Sequence, residues 1–170
     1  MADSGHDVHG EADFVASLAP STVLDAGCGA GRVAAELCRR AMTVVGVDND
    51  QALLAYATRK PEPVTWVLDD LAMVRLAQRF DAVVLAGNVL PYVRPDARAS
   101  VVANLADHLT PDGALVIGGQ TMFGCGPTEI DRWCEAVGLR LDQSWAGWDR
   151  EPFDDGGYRV SVHRRSGAID

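Results

Sequence analysis

Apolar positions along this chain follow two rhythms that repeatedly change places. One recurs every three to four residues, as on a helix face, and the other is a short continuous or alternating run, as in a strand. Glu11 to Leu18 reads as a short helix stopped by Pro20, and Val23 to Ala26 as an apolar strand. Arg32 to Arg40 has helical spacing, with Val33, Ala34, Leu37 and Cys38 on one side. Thr43 to Asp48 (TVVGVD) is rich in β-branched residues and predicts a second strand. A helix over Asp50 to Thr58 follows, with Asp50 as its N-cap. VTWVLDD, beginning at Val64, predicts a third strand, and Phe80 to Gly87 a fourth. Asp96 to Leu109 predicts a long amphipathic helix with Val101, Val102, Leu105 and Leu109 inward. TPDG then reads as a turn and ALVIGG as a fifth strand. Thr128 to Val137 predicts a helix ended by Gly138, and LRLDQSWAGW and YRVSVHRR a closing antiparallel hairpin around DREPFDDGG.

Strands therefore alternate with helices almost throughout. The second, fourth and fifth strands are unbroken apolar runs, the pattern of a sheet covered on both faces. The expected architecture is a doubly wound, mostly parallel α/β sheet with an antiparallel edge. No internal repeat, low-complexity tract or linker interrupts it, so residues 1–170 are expected to form one domain with an N-terminal helical segment over residues 1–20.

Composition narrows the function classes. Hydrophobic residues make up 48% of the chain and charged ones 23%, ordinary for a globular protein. No apolar run approaches the roughly 18–20 residues of a membrane span, so no membrane partner is expected. The start of the chain, MADSGHDVHGEADF, is acidic and lacks the apolar core of a secretory signal. The four cysteines (Cys28, Cys38, Cys125, Cys134) show no CxxC pairing and no zinc spacing. Reduced thiols in a cytoplasmic protein, with no metal, are the expectation. A net charge of −9 disfavours nucleic acid as a partner. Arginine supplies 14 of the 15 basic residues, and the pairs Arg39-Arg40 and Arg164-Arg165 are the largest clusters.

The chemistry concentrates in VLDAGCGAGR, from Val23 to Arg32. Gly27, Gly29 and Gly31 stand where the first strand hands over to the first long helix. In such sheets ligands sit beyond the carboxyl ends of the strands. Glycine there permits positive φ and close approach to the main chain, and the helix start offers unpaired N–H groups. A tight turn without a ligand is the competing reading. Asp48, about 20 residues further on at the end of the second strand, suits the hydroxyls of a ribose, unless it is only a turn or cap residue. Asp50 already serves as the cap. An adenosine-containing ligand follows, but not which one, because Gly29-x-Gly31-x-x-Ala34 also satisfies a loose dinucleotide pattern. Asp25 tips the balance: beside a pyrophosphate it would repel, and beside an ammonium or sulfonium it attracts. The chain is also short for a dehydrogenase.

Taken together, VLDAGCGAGR, VVGVDND, WVLDDL and FDAVVLAGNVLPYV resemble the successive motifs of the class I S-adenosylmethionine-dependent methyltransferases. The motifs run from about Val23 to Val93, and the topology over nearly the whole chain. The resemblance implies a Rossmann-like, seven-stranded sheet in a three-layer αβα arrangement and S-adenosyl-L-methionine as cofactor. It implies that Asp25, Gly27, Cys28 and Gly29 line the methionine part, that Asp48 bridges the ribose hydroxyls and that Asn49 lies against the adenine. Asp70 would accept from the adenine amino group, with Asp69 its competitor, and the Leu71 N–H would lie near a ring nitrogen. Ala86, Gly87 and Asn88 would face the methionine and the transferring methyl.

No catalytic residue is assigned. Asn88 and Tyr92 in NVLPY resemble the N-P-P-Y motif of amino-methylating relatives, but Val89 and Leu90 stand where its first proline belongs. Base methylation of nucleic acid is not implied, and Tyr92 reads as a core or rim aromatic. His108 is expected at the surface or helix end, and His163 outward on the last strand. His6 and His9 read as a frayed terminus or as part of a segment closing the site. Trp133 is expected in the core, and Trp145 and Trp148 beside a substrate cleft. Gly118 to Gly126 would form the acceptor wall. With little chain before the first strand and no insertion after the fourth or fifth, an open acceptor site is expected. It would be covered, if at all, by a partner subunit in a homodimer or by the N-terminal segment. The expected activity is methyl transfer to a small-molecule acceptor. The alternatives are a nicotinamide-dependent oxidoreductase and a non-catalytic cofactor-binding module.

Overall fold

The computed structural model describes residues 8–122 and 124–167. Seven strands form one sheet in the order β3-β2-β1-β4-β5-β7-β6. They are β1 (Thr22–Ala26), β2 (Thr43–Asp48), β3 (Thr65–Leu68), β4 (Phe80–Leu85), β5 (Leu109–Gln120), β6 (Leu139–Trp145) and β7 (Tyr158–Arg165). β1 to β5 run parallel, and β7 pairs antiparallel with both β5 and β6. The helices are α1 (Gly10–Ser17), α2 (Arg32–Arg39), α3 (Gln51–Ala57), α4 (Val89–Tyr92), α5 (Arg98–Asp107) and α6 (Pro127–Glu135). The doubly wound α/β architecture with its antiparallel hairpin is therefore as expected.

Alternation along the strands divides the core. Leu24 and Ala26 of β1 join Leu115 and Ile117 of β5 and the buried faces of α5 and α6. Val23, Val84, Val116, Val160 and Val162 face the other way, onto Phe14 and Val15 of α1 and Val33, Ala34 and Leu37 of α2. Asp25, two residues after Val23, points to this second side and is 2% exposed.

Three local departures from the pattern have physical causes. The long helix expected from Asp96 begins as a 3-10 turn, Pro95–Ala97, and becomes α-helical only at Arg98. TPDG is not a free turn. It is a bulge inside β5, where the register jumps between Phe80 and Ala82. A Cβ on Gly113 would stand 2.9 Å from the Phe80 carbonyl oxygen, so the bulge needs glycine there. The one-turn helix α4 is too short to leave a periodic signal, and it follows Asn88 in the left-handed region at φ 60°.

Candidate functional site

The turn after β1 is built by main-chain bonds to the neighbouring strand. Gly27 and Cys28 N–H groups both donate to the Val47 carbonyl, at 2.8 and 3.0 Å, and Gly31 N–H donates to Cys28 O at 2.9 Å. The turn demands left-handed backbone at Gly27 and Gly31, with φ of 78° and 81°. Space is as tight as conformation: a Cβ on Gly27 would lie 2.7 Å from Val89 Cγ1, and one on Gly31 would overlap the Trp66 ring.

Asp48, at the end of β2, is pinned beside this turn. Its Oδ2 accepts from Gly29 N–H at 2.8 Å and its Oδ1 from Asp50 N–H at 2.9 Å. Each carboxylate oxygen keeps a further lone pair. Asp50 is the expected N-cap, accepting from Ala52 and Leu53 N–H at 2.9 and 3.0 Å. At the next strand end Asp69 and Asp70 are placed differently. Asp69 Oδ1 accepts from Asp70 N–H at 2.7 Å, and Asp70 Oδ1 from Ala72 N–H at 2.7 Å. Of the pair, Asp70 lines the cavity described next.

A cavity of about 590 Å³ opens across the carboxyl ends of β1, β2 and β4. Gly27, Gly29, Asp48 and Asn49 form one wall, Asp70 and Leu71 another, and Gly87 and Asn88 a third. Eight of the eleven candidate residues thus meet in one space. The sequence motifs did not reveal Leu53, Arg94, Ala97 and Val101, which line it together with Asp50, Val89 and Val93. They come from α3 and from the α4–α5 region, and only the fold brings them to the cavity. Tyr92 stands on the rim at 89% exposure, a rim aromatic rather than a core one.

Asp25, Cys28 and Ala86 lie outside the lining. Cys28 contributes backbone to the turn, but its side chain is buried, and burial, reinforced by the nearby Asp25 and Asp48 carboxylates, pushes its thiol ionisation up. Ala86 packs against the core on the α1–α2 side. Asp25 sits under the turn rather than in it. Burial raises its carboxyl from 3.8 to about 7, opposed by a hydrogen bond from the Ala34 backbone and by Arg32, and reinforced by Asp48 and Glu11. Its Oδ2 has no hydrogen-bond partner. Because Ala34 is in the first turn of α2, Asp25 caps that helix from a neighbouring strand.

The expectations for His163 and two of the tryptophans need correction, while His108 stands at the helix end, as the C-cap of α5, though buried rather than at the surface. His108 is 5% exposed and ties loop to helix: its Nδ1 donates to Asn104 O at 2.8 Å and its Nε2 accepts from Leu76 N–H at 3.1 Å. His163 is fully buried, because β7 lies inside the sheet and both its faces are covered. Its Nε2 donates to Asp131 Oδ1 at 2.9 Å, and burial lowers its pKa despite that carboxylate. His9 lies beside Glu36 of α2, 3.8 Å away, not over the cavity, and His6 is outside the described residues. Trp148 packs edge-on against Phe14 at 5.5 Å and donates to the Tyr158 hydroxyl at 2.9 Å, on the face away from the cleft. Trp145 packs on that same side. Trp133 packs against the core on the α5–α6 side. Among the described residues no cluster of histidine, cysteine, aspartate or glutamate could hold a metal ion.

Residues 23–113 match the family model of the methyltransferase domain. Among solved structures, a TehB-like S-adenosylmethionine-dependent methyltransferase from Corynebacterium glutamicum superposes with a TM-score of 0.87 at 34% identity, covering 96% of this chain and 91% of that one. An uncharacterized methyltransferase of Mycobacterium bovis is 34% identical over 108 residues, 62% of this chain and 53% of its own length. A carboxy-S-adenosyl-L-methionine synthase of Wolinella succinogenes is 31% identical over 116 residues, 62% of this chain and 48% of its own. The chain spans about half the length of the curated relatives it matches.

Proposed function

The chain belongs to the S-adenosylmethionine-dependent methyltransferase family, and from that premise we propose that it transfers a methyl group from S-adenosyl-L-methionine to a small-molecule acceptor as one methyltransferase domain. The observation that carries this reading is the convergence of a main-chain-exposing glycine turn with Asp48 and Asp70 on one cavity. Its volume of about 590 Å³ lies within the range of small-molecule sites, roughly 300–1,000 Å³.

The donor set fits the cofactor. Asp48, held by two backbone N–H groups, keeps lone pairs for a pair of ribose hydroxyls. Leu53 and Leu71 offer apolar surface to an adenine, with Asn49 beside it and Asp70 free at Oδ2 to accept from the amino group. Gly27 and Gly29 offer main chain to the methionine portion, and Asp25 beneath them favours its cationic groups once ionised, at pH values above about 7. Gly87 and Asn88 border the place where the methyl is delivered.

The cofactor supplies a methyl carbon already activated by its sulfonium, ready for in-line displacement. The chain's task is alignment. Asn88 is fixed for it, since its Oδ1 accepts from Gln120 N–H at 2.7 Å and locks the α4 turn to β5. Among the described residues the cavity lining holds no histidine, lysine or cysteine. An acceptor that arrives with its lone pair available therefore suits the site, and no general base is assigned. The net charge of −9 supports a small acceptor over nucleic acid. The unpaired cysteines support a reducing, cytoplasmic setting.

Calorimetry with S-adenosylhomocysteine tests the reading. Micromolar binding is expected, on the order of −8 kcal/mol, and Asp48→Ala should weaken it by roughly 30-fold or more through loss of the hydroxyl contacts. Absence of binding heat, with tight retention of NAD instead, would return the site to the oxidoreductase alternative.

A further inference from the structure

A second, much smaller crevice lies back to back with the cofactor cavity. Leu90 and Pro91 of α4, Gln120 and Cys125 close it from above, and Arg159 and Ser161 of β7 form its floor. The partition between the two spaces is thin. It consists of one helical turn and the Asn88–Gln120 hydrogen bond, with Val89 facing the large cavity and Leu90 and Pro91 the small one.

Two buried polar side chains line the crevice. Ser161 is 1% exposed, and its Oγ has no hydrogen-bond partner. Leaving a buried hydroxyl unpaired is unfavourable, so such a group calls for an occupant. Arg159 is 4% exposed and rigidly held. Its Nε donates to Ser144 Oγ at 2.9 Å, its Nη1 to Asp131 Oδ1 at 2.9 Å and Pro127 O at 3.4 Å, and its Nη2 to Asp131 Oδ2 at 3.2 Å. A guanidinium has five N–H groups, and these bonds account for four. One Nη2 hydrogen is left out of these bonds, on a side chain that lines the crevice. Its free space, about 10 Å³, admits one water-sized group. A hydroxyl and a guanidinium lining a space of that size suit a single oxygen atom rich in lone pairs.

We propose that this crevice anchors the methyl acceptor, taking one oxygen of an acceptor carboxylate against Ser161 Oγ and the spare Arg159 N–H, while the acceptor's nucleophile reaches over the Asn88–Gln120 partition toward the cofactor cavity. The inference rests on the methyltransferase reading and deepens it: the acceptor is a small carboxylic acid. Arg159 carries the charge-assisted contact, and Asp131 holds the guanidinium in its plane without covering the last N–H. Ser161 adds the second donor.

The test uses the folded protein saturated with S-adenosylhomocysteine and follows the Arg159 Nε–Hε resonance during titration with sodium formate. Formamide and sodium chloride at equal concentration are the controls. Formate should produce a saturable shift, formamide a much weaker one and chloride none. Ser161→Val, which fills the crevice and removes the hydroxyl, should weaken formate binding by about tenfold, the effect of losing one hydrogen bond to a charged group. Ser161→Ala should weaken it as well, and it serves in place of Val if the larger residue does not pack. S-adenosylhomocysteine affinity should stay unchanged in both variants. A formate shift that never saturates, or that both variants reproduce, overturns the proposal. Failure of the nucleoside to bind, seen in its own titration, instead overturns the methyltransferase reading, while the formate response can still be measured.

Discussion

Replacing Asp25 with asparagine should make the protein more stable at high pH and change little at low pH. The carboxyl is 2% exposed, with one oxygen accepting from the Ala34 backbone and the other unpartnered. In the unfolded chain it ionises near 3.8, and in the folded protein near 7. Between these values the folded state binds one more proton than the unfolded state. Stability is therefore fully present below pH 4 and falls as the pH rises through 7. A difference of about three decades, at roughly 1.4 kcal/mol each, sets the total loss at about 4 kcal/mol. About 1.5 kcal/mol of it has gone by pH 5, and the rest by pH 8. An asparagine keeps an oxygen for the Ala34 N–H and has no charge to bury. Urea unfolding of both proteins at pH 5 and pH 8.5 reads the effect, and every other carboxylate cancels in the comparison. The stability advantage of Asp25→Asn should grow by about 2–3 kcal/mol between the two pH values. An advantage constant to within about 0.5 kcal/mol would refute the claim that this buried carboxyl holds its proton into the neutral range.

Two further substitutions probe the frame around the sites. Asp131→Asn leaves the buried Arg159 guanidinium without its carboxylate partner, and denaturant unfolding should show a loss of about 3–5 kcal/mol. Gly31→Ala forces a side chain into left-handed backbone at φ 81° and against Trp66. Thermal unfolding should register at least about 1–2 kcal/mol for the backbone alone, and a variant as stable as the parent would contradict the packing described.

The sites divide by how local their signals are. The glycine turn, Asp48 and the Asp50 cap are legible because each lies where a strand end meets the next turn: Asp50 accepts from its own helix, and Asp48 ends the strand beside β1 and meets Gly29 N–H 19 residues back. β2 is observed over the expected residues, Thr43–Asp48, because its run is unbroken and β-branched. Asp25 was legible as an acid at the turn but not as a buried helix cap, since that depends on which sheet face α2 covers. His163 illustrates the larger gap. In YRVSVHRR the residues Arg159, Ser161 and His163 alternate with valines, which reads as one wet face. The sheet order instead puts β7 between β5 and β6, and Asp131 of α6 satisfies two of the three. Nothing in the local pattern specifies a partner 28 or 32 residues away.

That sheet order also governs when the molecule can finish folding. β6 finds its hydrogen-bonding neighbour only in β7, and β5 keeps an open, apolar flank until β7 arrives. A nascent chain leaving the ribosome must therefore expose that flank until Arg165 has emerged, and this stretch of synthesis is when the protein most needs chaperone cover.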